Sequence, residues 1–170
     1  MGKVCIEKYL RGEMIVPEMR LVLKNKEGNI LNSILSEFAE EDYVWRLINL
    51  EYCFLQECTA EDINGIDFDA NGAYSAQQIL DFLPKTDYYL LFATLIAYSG
   101  MPSKVATYGN FCNSNGVLIV DIEDVCYLSI YAKKEELYDK VISAVSNCID
   151  EEEGIVKTDK SCNDRIIWDD

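Results

Sequence analysis

Tyr88-Tyr89-Leu90-Leu91-Phe92-Ala93-Thr94-Leu95-Ile96-Ala97-Tyr98 is apolar almost throughout and rich in aromatic residues, and how it is read decides the fold. Periodicity alone does not separate a doubly buried strand from a buried helix. The flanks do: Pro84 stands just before the run and Gly100 with Pro102 just after, so breakers leave no room for a long helix. Further on, Val117-Leu118-Ile119-Val120-Asp121-Ile122 and Val125-Cys126-Tyr127-Leu128-Ser129-Ile130-Tyr131 are β-branched runs parted by a short acidic turn near Glu123-Asp124, which predicts a hairpin. These three runs form the centre of a sheet that the rest of the chain must cover or edge.

Working outward, residues 1–18 mix charged and apolar positions up to Pro17 and read as a helix or strand laid on the sheet. Met19 to Leu23 follows as a loosely alternating run, and Lys24 to Gly28 reads as a turn. Ile30, Leu31, Ile34, Leu35 and Phe38 recur at helical spacing, predicting a helix from about Asn29 to Glu40 with Asn29 as N-cap. Tyr43 to Ile48 and Glu51 to Leu55 read as two short strands paired around Asn49-Leu50. Ser75 is placed to cap a short helix, Ala76 to Leu83, which Pro84 ends. Residues 99–116 carry Gly100, Pro102, Gly109, Asn113, Asn115 and Gly116 and read as the longest connection, with room for a turn of helix. Leu137, Tyr138, Val141, Ile142 and Val145 predict a last helix over Glu135 to Cys148, and Ile155-Val156 and Arg165 to Trp168 read as small closing strands.

A helix between strands without a regular βαβ repeat points to an α+β fold. The expectation is a single largely antiparallel or mixed sheet with two or three helices packed on it. The 170 residues are read as one domain, 1–170, with 1–18 as an N-terminal extension.

Thirty acidic residues against fifteen basic ones give a formal net charge of −15, which repels phosphate backbones and anionic membrane surfaces. Nucleic acid and membrane are therefore not expected as partners, and a protein with a basic surface is. Seven cysteines, Cys5, Cys53, Cys58, Cys112, Cys126, Cys148 and Cys162, include no C-x-x-C pair. They read as reduced thiols in a cytoplasmic protein. No apolar h-region opens the chain, and its longest apolar run is too short to span a bilayer.

Asp67-Phe68-Asp69-Ala70-Asn71-Gly72 matches the D-x-D-x-N-G opening of a calcium loop. Such a loop needs a bidentate glutamate at its twelfth position, and that position is Gln78. The stretch is read as an Asx-rich turn leading to the Ser75 cap, and no metal ligand is assigned. The chain has no histidine, so serine and cysteine nucleophiles lose their usual base and zinc its usual nitrogen ligand. Asp121, Glu123 and Asp124 read as a solvated hairpin tip, and Glu51 as an edge residue or the partner of Arg46 in a buried ion pair. No catalytic residue and no cofactor follow. Tyr88, Tyr89, Tyr98, Tyr108, Tyr127 and Tyr131 crowd the central region, either as sheet packing with hydroxyls at the rim or as a protein-binding face.

Asn25-x-x-Gly28-x-x-Leu31-x-x-Ile34-Leu35, Tyr43-x-Trp45, the Tyr88 to Tyr98 run and the Val117 to Tyr131 hairpin together resemble an uncharacterised family of small Bacillus-type bacterial proteins, classed as a domain of unknown function. The resemblance covers most of the chain after residue 18. Lys24 departs from it, standing where the family tends to have proline. It implies a compact cytosolic domain from such a bacterium or its phage, and carries over no catalytic residue. Two functions remain open: a non-catalytic protein-binding module, such as an immunity or anti-defence type inhibitor, and a small-molecule or ion binder, or weak enzyme, using a pocket beside the sheet.

Overall fold

The computed structural model of the chain describes residues 8–10, 13–24, 29–54, 64–65, 69, 72–124, 126–150 and 155–158. In chain order these form β1 (Lys8–Leu10), β2 (Glu13–Ile15), β3 (Glu18–Val22), α1 (Ile30–Ser36), β4 (Val44–Phe54), β5 (Asn64–Gly65), α2 (Ala76–Phe82), β6 (Tyr88–Tyr98), α3 (Tyr108–Asn113), β7 (Gly116–Glu123), β8 (Tyr127–Ala132), α4 (Glu135–Val145) and β9 (Ile155–Thr158). A short 3-10 turn, Ser146–Cys148, extends α4. β1 and β2 pair with each other, and the remaining strands form one sheet in the order β5-β4-β6-β7-β8-β3-β9. Every pairing is antiparallel.

The fold is thus α+β, with β6 and the β7–β8 hairpin at the sheet centre as their sequences predict. Four α-helices are present among the described residues, where two or three are expected from sequence. The addition is α3, inside the 99–116 connection. Thr107 and Asn110 close a reciprocal capping box there, and Tyr108, Phe111 and Cys112 turn one buried face to the sheet. The surrounding glycines and asparagines hide this pattern in sequence.

The sheet has two apolar faces. Its first face packs under α1, α2 and α4 through residues such as Leu21, Leu47, Leu95, Val120, Ile130 and Val141. Its second face carries a smaller cluster, Ile96, Tyr98, Ile119 and Tyr131, covered by Val105 and α3 and reached by Val16.

The predicted strand pair over residues 43–55 is a single strand, β4, lying along β6 for its whole length. Asn49-Leu50 is not a turn. The register passes from Leu47↔Leu95 to Asn49↔Thr94, so Ile48 is an extra residue on β4; it then passes from Glu51↔Phe92 to Tyr52↔Leu90, so Leu91 is an extra residue on β6. Each bulge flips the alternation of its own strand. Trp45 and Leu47 therefore share the first face with Leu50 and Tyr52, and Ala93 and Leu95 share it with Leu90 and Tyr88. Since one bulge lies on each strand, the pairing returns to its original register.

α1 is shorter than its apolar spacing predicts. The amides of Glu37 and Phe38 bond three residues back, to Ile34 and Leu35, tightening the chain out of the helix while Phe38 stays buried. Asn29 sits at the N-cap but in the left-handed region (φ 71°), where its side chain makes no cap bond. Its Nδ2 instead donates to Asp87 Oδ1 at 2.8 Å, tying α1 to the start of β6.

Candidate functional site

An open cleft of about 660 Å³ lies at one end of the sheet, between the turn after α1 (39–44), the approach to α2 (73–75 with Gln78) and the turn after β6 (100–102). That volume falls within the roughly 300–1,000 Å³ of ligand sites. Each wall is set by local chemistry. Residues 39–44 follow the tightened end of α1 and present the consecutive acids Glu40, Glu41 and Asp42. Glu40 and Asp42 are exposed. Glu41 is ion-paired with Lys140 of α4, whose ammonium also lies 5.3 Å over the Phe38 ring.

Behind this wall runs an aromatic stack. Phe38 meets Trp45 edge-on at 5.4 Å and Tyr43 at 6.3 Å. Trp45 and Tyr74 exchange two backbone hydrogen bonds, of 2.7 and 2.9 Å, which dock the second wall against β4. Tyr74 in turn packs edge-on against Phe82, which is 56% exposed. In this wall the Ser75 hydroxyl accepts from the Gln78 amide and Gln78 Oε1 accepts from the Ser75 amide, a capping box that starts α2. Ser75 thus caps as its sequence predicts, and the oxygen at the twelfth position of the calcium-like stretch is engaged in the cap. Of that stretch Asp67, Phe68, Ala70 and Asn71 lie outside the described residues. Among the described residues no group of three or more Cys, Asp and Glu is gathered as a metal would need.

The third wall is a braced turn. Gly100 adopts φ +112°, a conformation that disfavours any side chain there. Asn115 secures the turn at several points: its carbonyl accepts from the Ser99 amide (3.1 Å), its Nδ2 donates to the Met101 carbonyl (2.7 Å), and its Oδ1 accepts from Ser103 Oγ (3.0 Å). Met101 is 85% exposed on this turn.

The acids singled out from sequence are not brought together. Asp121 lies within β7 and accepts from Thr94 Oγ1 at 2.6 Å, while Glu123, also in β7, pairs with Arg20 at 3.9 Å. Only Asp124 stands in the turn, at φ 51°. Glu51 is not at an edge, for it lies between Gly65 of β5 and Phe92 of β6. Arg46 pairs with Ile96, four residues along β6 from Phe92, so Arg46 and Glu51 stand roughly 13 Å apart along the strands. The buried ion pair between them does not form, because the chain runs straight where a hairpin is predicted.

The tyrosines serve mainly inside. Tyr88, Tyr98, Tyr108 and Tyr131 are buried. Tyr88 donates to Asn32 Oδ1 (2.7 Å), Tyr131 to Glu18 Oε1 (2.9 Å) and Tyr108 to the Val16 carbonyl. Burial pushes the hydroxyls of Tyr98 and Tyr138 up to about 12, with the Arg46 guanidinium partly opposing this at Tyr98, and raises those of Tyr88 and Tyr108 further.

Cys112, Cys126 and Cys148 are free thiols, as expected. Cys53, fully buried, is disulfide-bonded, which corrects the expectation of a reduced set. The approach of two Cβ atoms that a disulfide needs is a tertiary property with no mark in the cysteine spacing. Cys5, Cys58 and Cys162, and the predicted strand Arg165 to Trp168, lie outside the described residues.

Sequence reasoning missed Glu40, Asp42 and Met101 as site residues. The signal for the first two is the acidic run directly before Tyr43-x-Trp45, and for the third a methionine between Gly100 and Pro102.

These features define an acidic α+β protein whose antiparallel sheet carries helices on both faces and an open, acid-rimmed cleft at one end. The chain belongs to the family described as "Protein of unknown function (DUF2691)", whose pattern matches residues 18–165. This bears out the resemblance carried by the Tyr43-x-Trp45 and Tyr88 to Tyr98 stretches. It is similar to the "Uncharacterized protein YncE" of Bacillus subtilis (strain 168), 30% identical over 122 residues that cover 70% of this chain and 77% of that protein. No solved structure matches it. Among the described residues no helix is long and apolar enough to cross a membrane.

Proposed function

We propose that this protein is a non-catalytic binding module for a protein partner with a basic surface, and that immunity or anti-defence type inhibition is the role such a module serves. The observation that carries this reading is the cleft, where the exposed carboxylates of Glu40 and Asp42 share one concavity with the exposed Met101 side chain and the Tyr74 ring. Carboxylates steer a basic partner in and desolvated apolar anchors hold it. The net charge of −15 extends the attraction beyond the cleft and supports a partner that is neither nucleic acid nor membrane. We read residues 1–170 as one domain with 1–18 as an extension. The three free thiols support a cytoplasmic setting, and the Cys53 disulfide counts against it.

The test is capture of the tagged protein's partners from a Bacillus lysate at low and high salt, followed by carboxylate-directed cross-linking. A basic protein lost at high salt and cross-linked through Glu40 or Asp42 is the expected result. A partner that is acidic, or indifferent to salt, would contradict the reading. The volume of the cleft favours one second reading, a binder of a small organic cation, for which a thermal shift with amines is the direct measurement.

A further inference from the structure

Met101 is a large apolar side chain, 85% exposed, at the rim of the cleft. The turn that carries it is set in place: Gly100 takes a left-handed backbone angle, and Asn115 ties the turn through its backbone carbonyl and both ends of its side-chain amide. The same cleft presents Glu40 and Asp42 in solvent, while Glu41 between them is neutralised by Lys140. Ser75 and Gln78 engage each other in the capping box, so the second wall contributes Tyr74, whose ring is braced from behind by Phe82. Charge and apolar surface are therefore separated within one concavity, which is the complement of an amphipathic cationic segment.

We propose that the cleft docks an amphipathic basic segment of the partner protein, with lysine or arginine side chains reaching Glu40 and Asp42 and an apolar side chain resting on Met101. This rests on the binding-module reading and adds to it the place and the chemistry of recognition. Lysine and arginine stems are themselves apolar, so one residue can satisfy both halves of the cleft: stem against Tyr74, charged end at the carboxylates. Asn115 is a positioning residue for Met101 and touches no ligand.

The probe is a fluorescein-labelled peptide of alternating lysine and leucine at helical spacing, titrated by anisotropy into the full-length protein at low salt. Its glutamate and leucine counterpart serves as control. The variants are Glu40→Gln with Asp42→Asn, Met101→Ala, and Glu136→Gln with Asp139→Asn. The last pair removes two exposed acids of α4, outside the cleft, and so measures general attraction. Expected are a loss of about tenfold for the cleft pair and several-fold for Met101→Ala, against little change for the α4 pair. All sites are exposed, and circular dichroism confirms that each variant is folded. Equal losses for the two acid pairs, with Met101→Ala neutral, would overturn the proposal. If that happens while a salt-sensitive basic partner is still captured, the docking site falls and the binding-module reading stands. If the peptide fails to bind and no basic partner is captured, both fall.

Discussion

Deleting Ile48 tests the paired-bulge account of β4. Ile48 is the extra residue between Leu47↔Leu95 and Asn49↔Thr94. Without it the strand alternates strictly: Trp45, Leu47, Leu50 and Tyr52 all keep the first face, and Leu47 and Asn49 meet consecutive residues of β6. What is lost is the half-buried Ile48 side chain, which packs against the second-face cluster, worth roughly 1 kcal/mol at half the burial of a core isoleucine. The comparison is deletion of Ile130 in β8, a strand paired on both sides with no bulge. There the chain must move either Ser129 or Tyr131 into the place of a fully buried isoleucine and turn Leu128 or Ala132 to the other face. Losing the Ile130 side chain alone costs about 2–5 kcal/mol, and the misplaced neighbours add to it. The sum reaches the roughly 5–15 kcal/mol that holds an ordinary domain together. In urea denaturation followed by circular dichroism, the Ile48 deletion should unfold cooperatively with stability reduced by about 1–2 kcal/mol, and the Ile130 deletion should show no folded baseline. Equal damage from both deletions would refute the bulge reasoning, because it would mean that Ile48 is not the residue the ladder can spare.

Three further predictions concern the same framework. The hydroxyls of Tyr88, Tyr98, Tyr108 and Tyr138 have folded pKa values raised by burial, so the neutral phenols stabilise the fold fully below the ordinary value near 10, and this contribution is lost as the pH climbs towards 12. At roughly 1.4 kcal/mol per pH unit for each, four tyrosines together lower stability steeply above about pH 10. Tyrosinate absorbance and circular dichroism should then change together, and ordinary titration of all the tyrosines near pH 10 with the fold intact would contradict it. Ser75→Ala removes the hydroxyl that accepts from the Gln78 amide and should cost about 1 kcal/mol in chemical denaturation. Lys140→Met keeps the stem over Phe38 but breaks the ion pair with Glu41; both side chains are about one-third exposed, so the loss should stay below about 1 kcal/mol and shrink in high salt.

Much of this fold is legible in the chain because local and tertiary preferences agree. The Tyr88 to Tyr98 run is a strand by its residue types and the breakers beside it, and it lies near the sheet centre with most of its side chains buried and Phe92 exposed. The β7–β8 hairpin follows from two β-branched runs around an acidic turn, and α4 from apolar residues that return each helical turn to one face. Ser75 announces its helix because a cap is a contact between residues three apart.

What only the tertiary structure decided depends on partners distant in sequence. β4 reads as two strands paired around Asn49-Leu50, and only the ladder with β6 shows one continuous strand with a bulge at Ile48 balanced by another at Leu91. The Cys53 disulfide and the part-buried hydrogen bonds of Tyr88 and Tyr131 depend on approach in space, which spacing along the chain does not encode. The cleft is the clearest case. Its walls come from residues 39–44, 73–78 and 100–102, each an ordinary turn or cap by itself. They meet because Tyr74 bonds to Trp45 at one end of β4 and β6 ends beside them, so acidic, aromatic and apolar groups converge only once the sheet has formed.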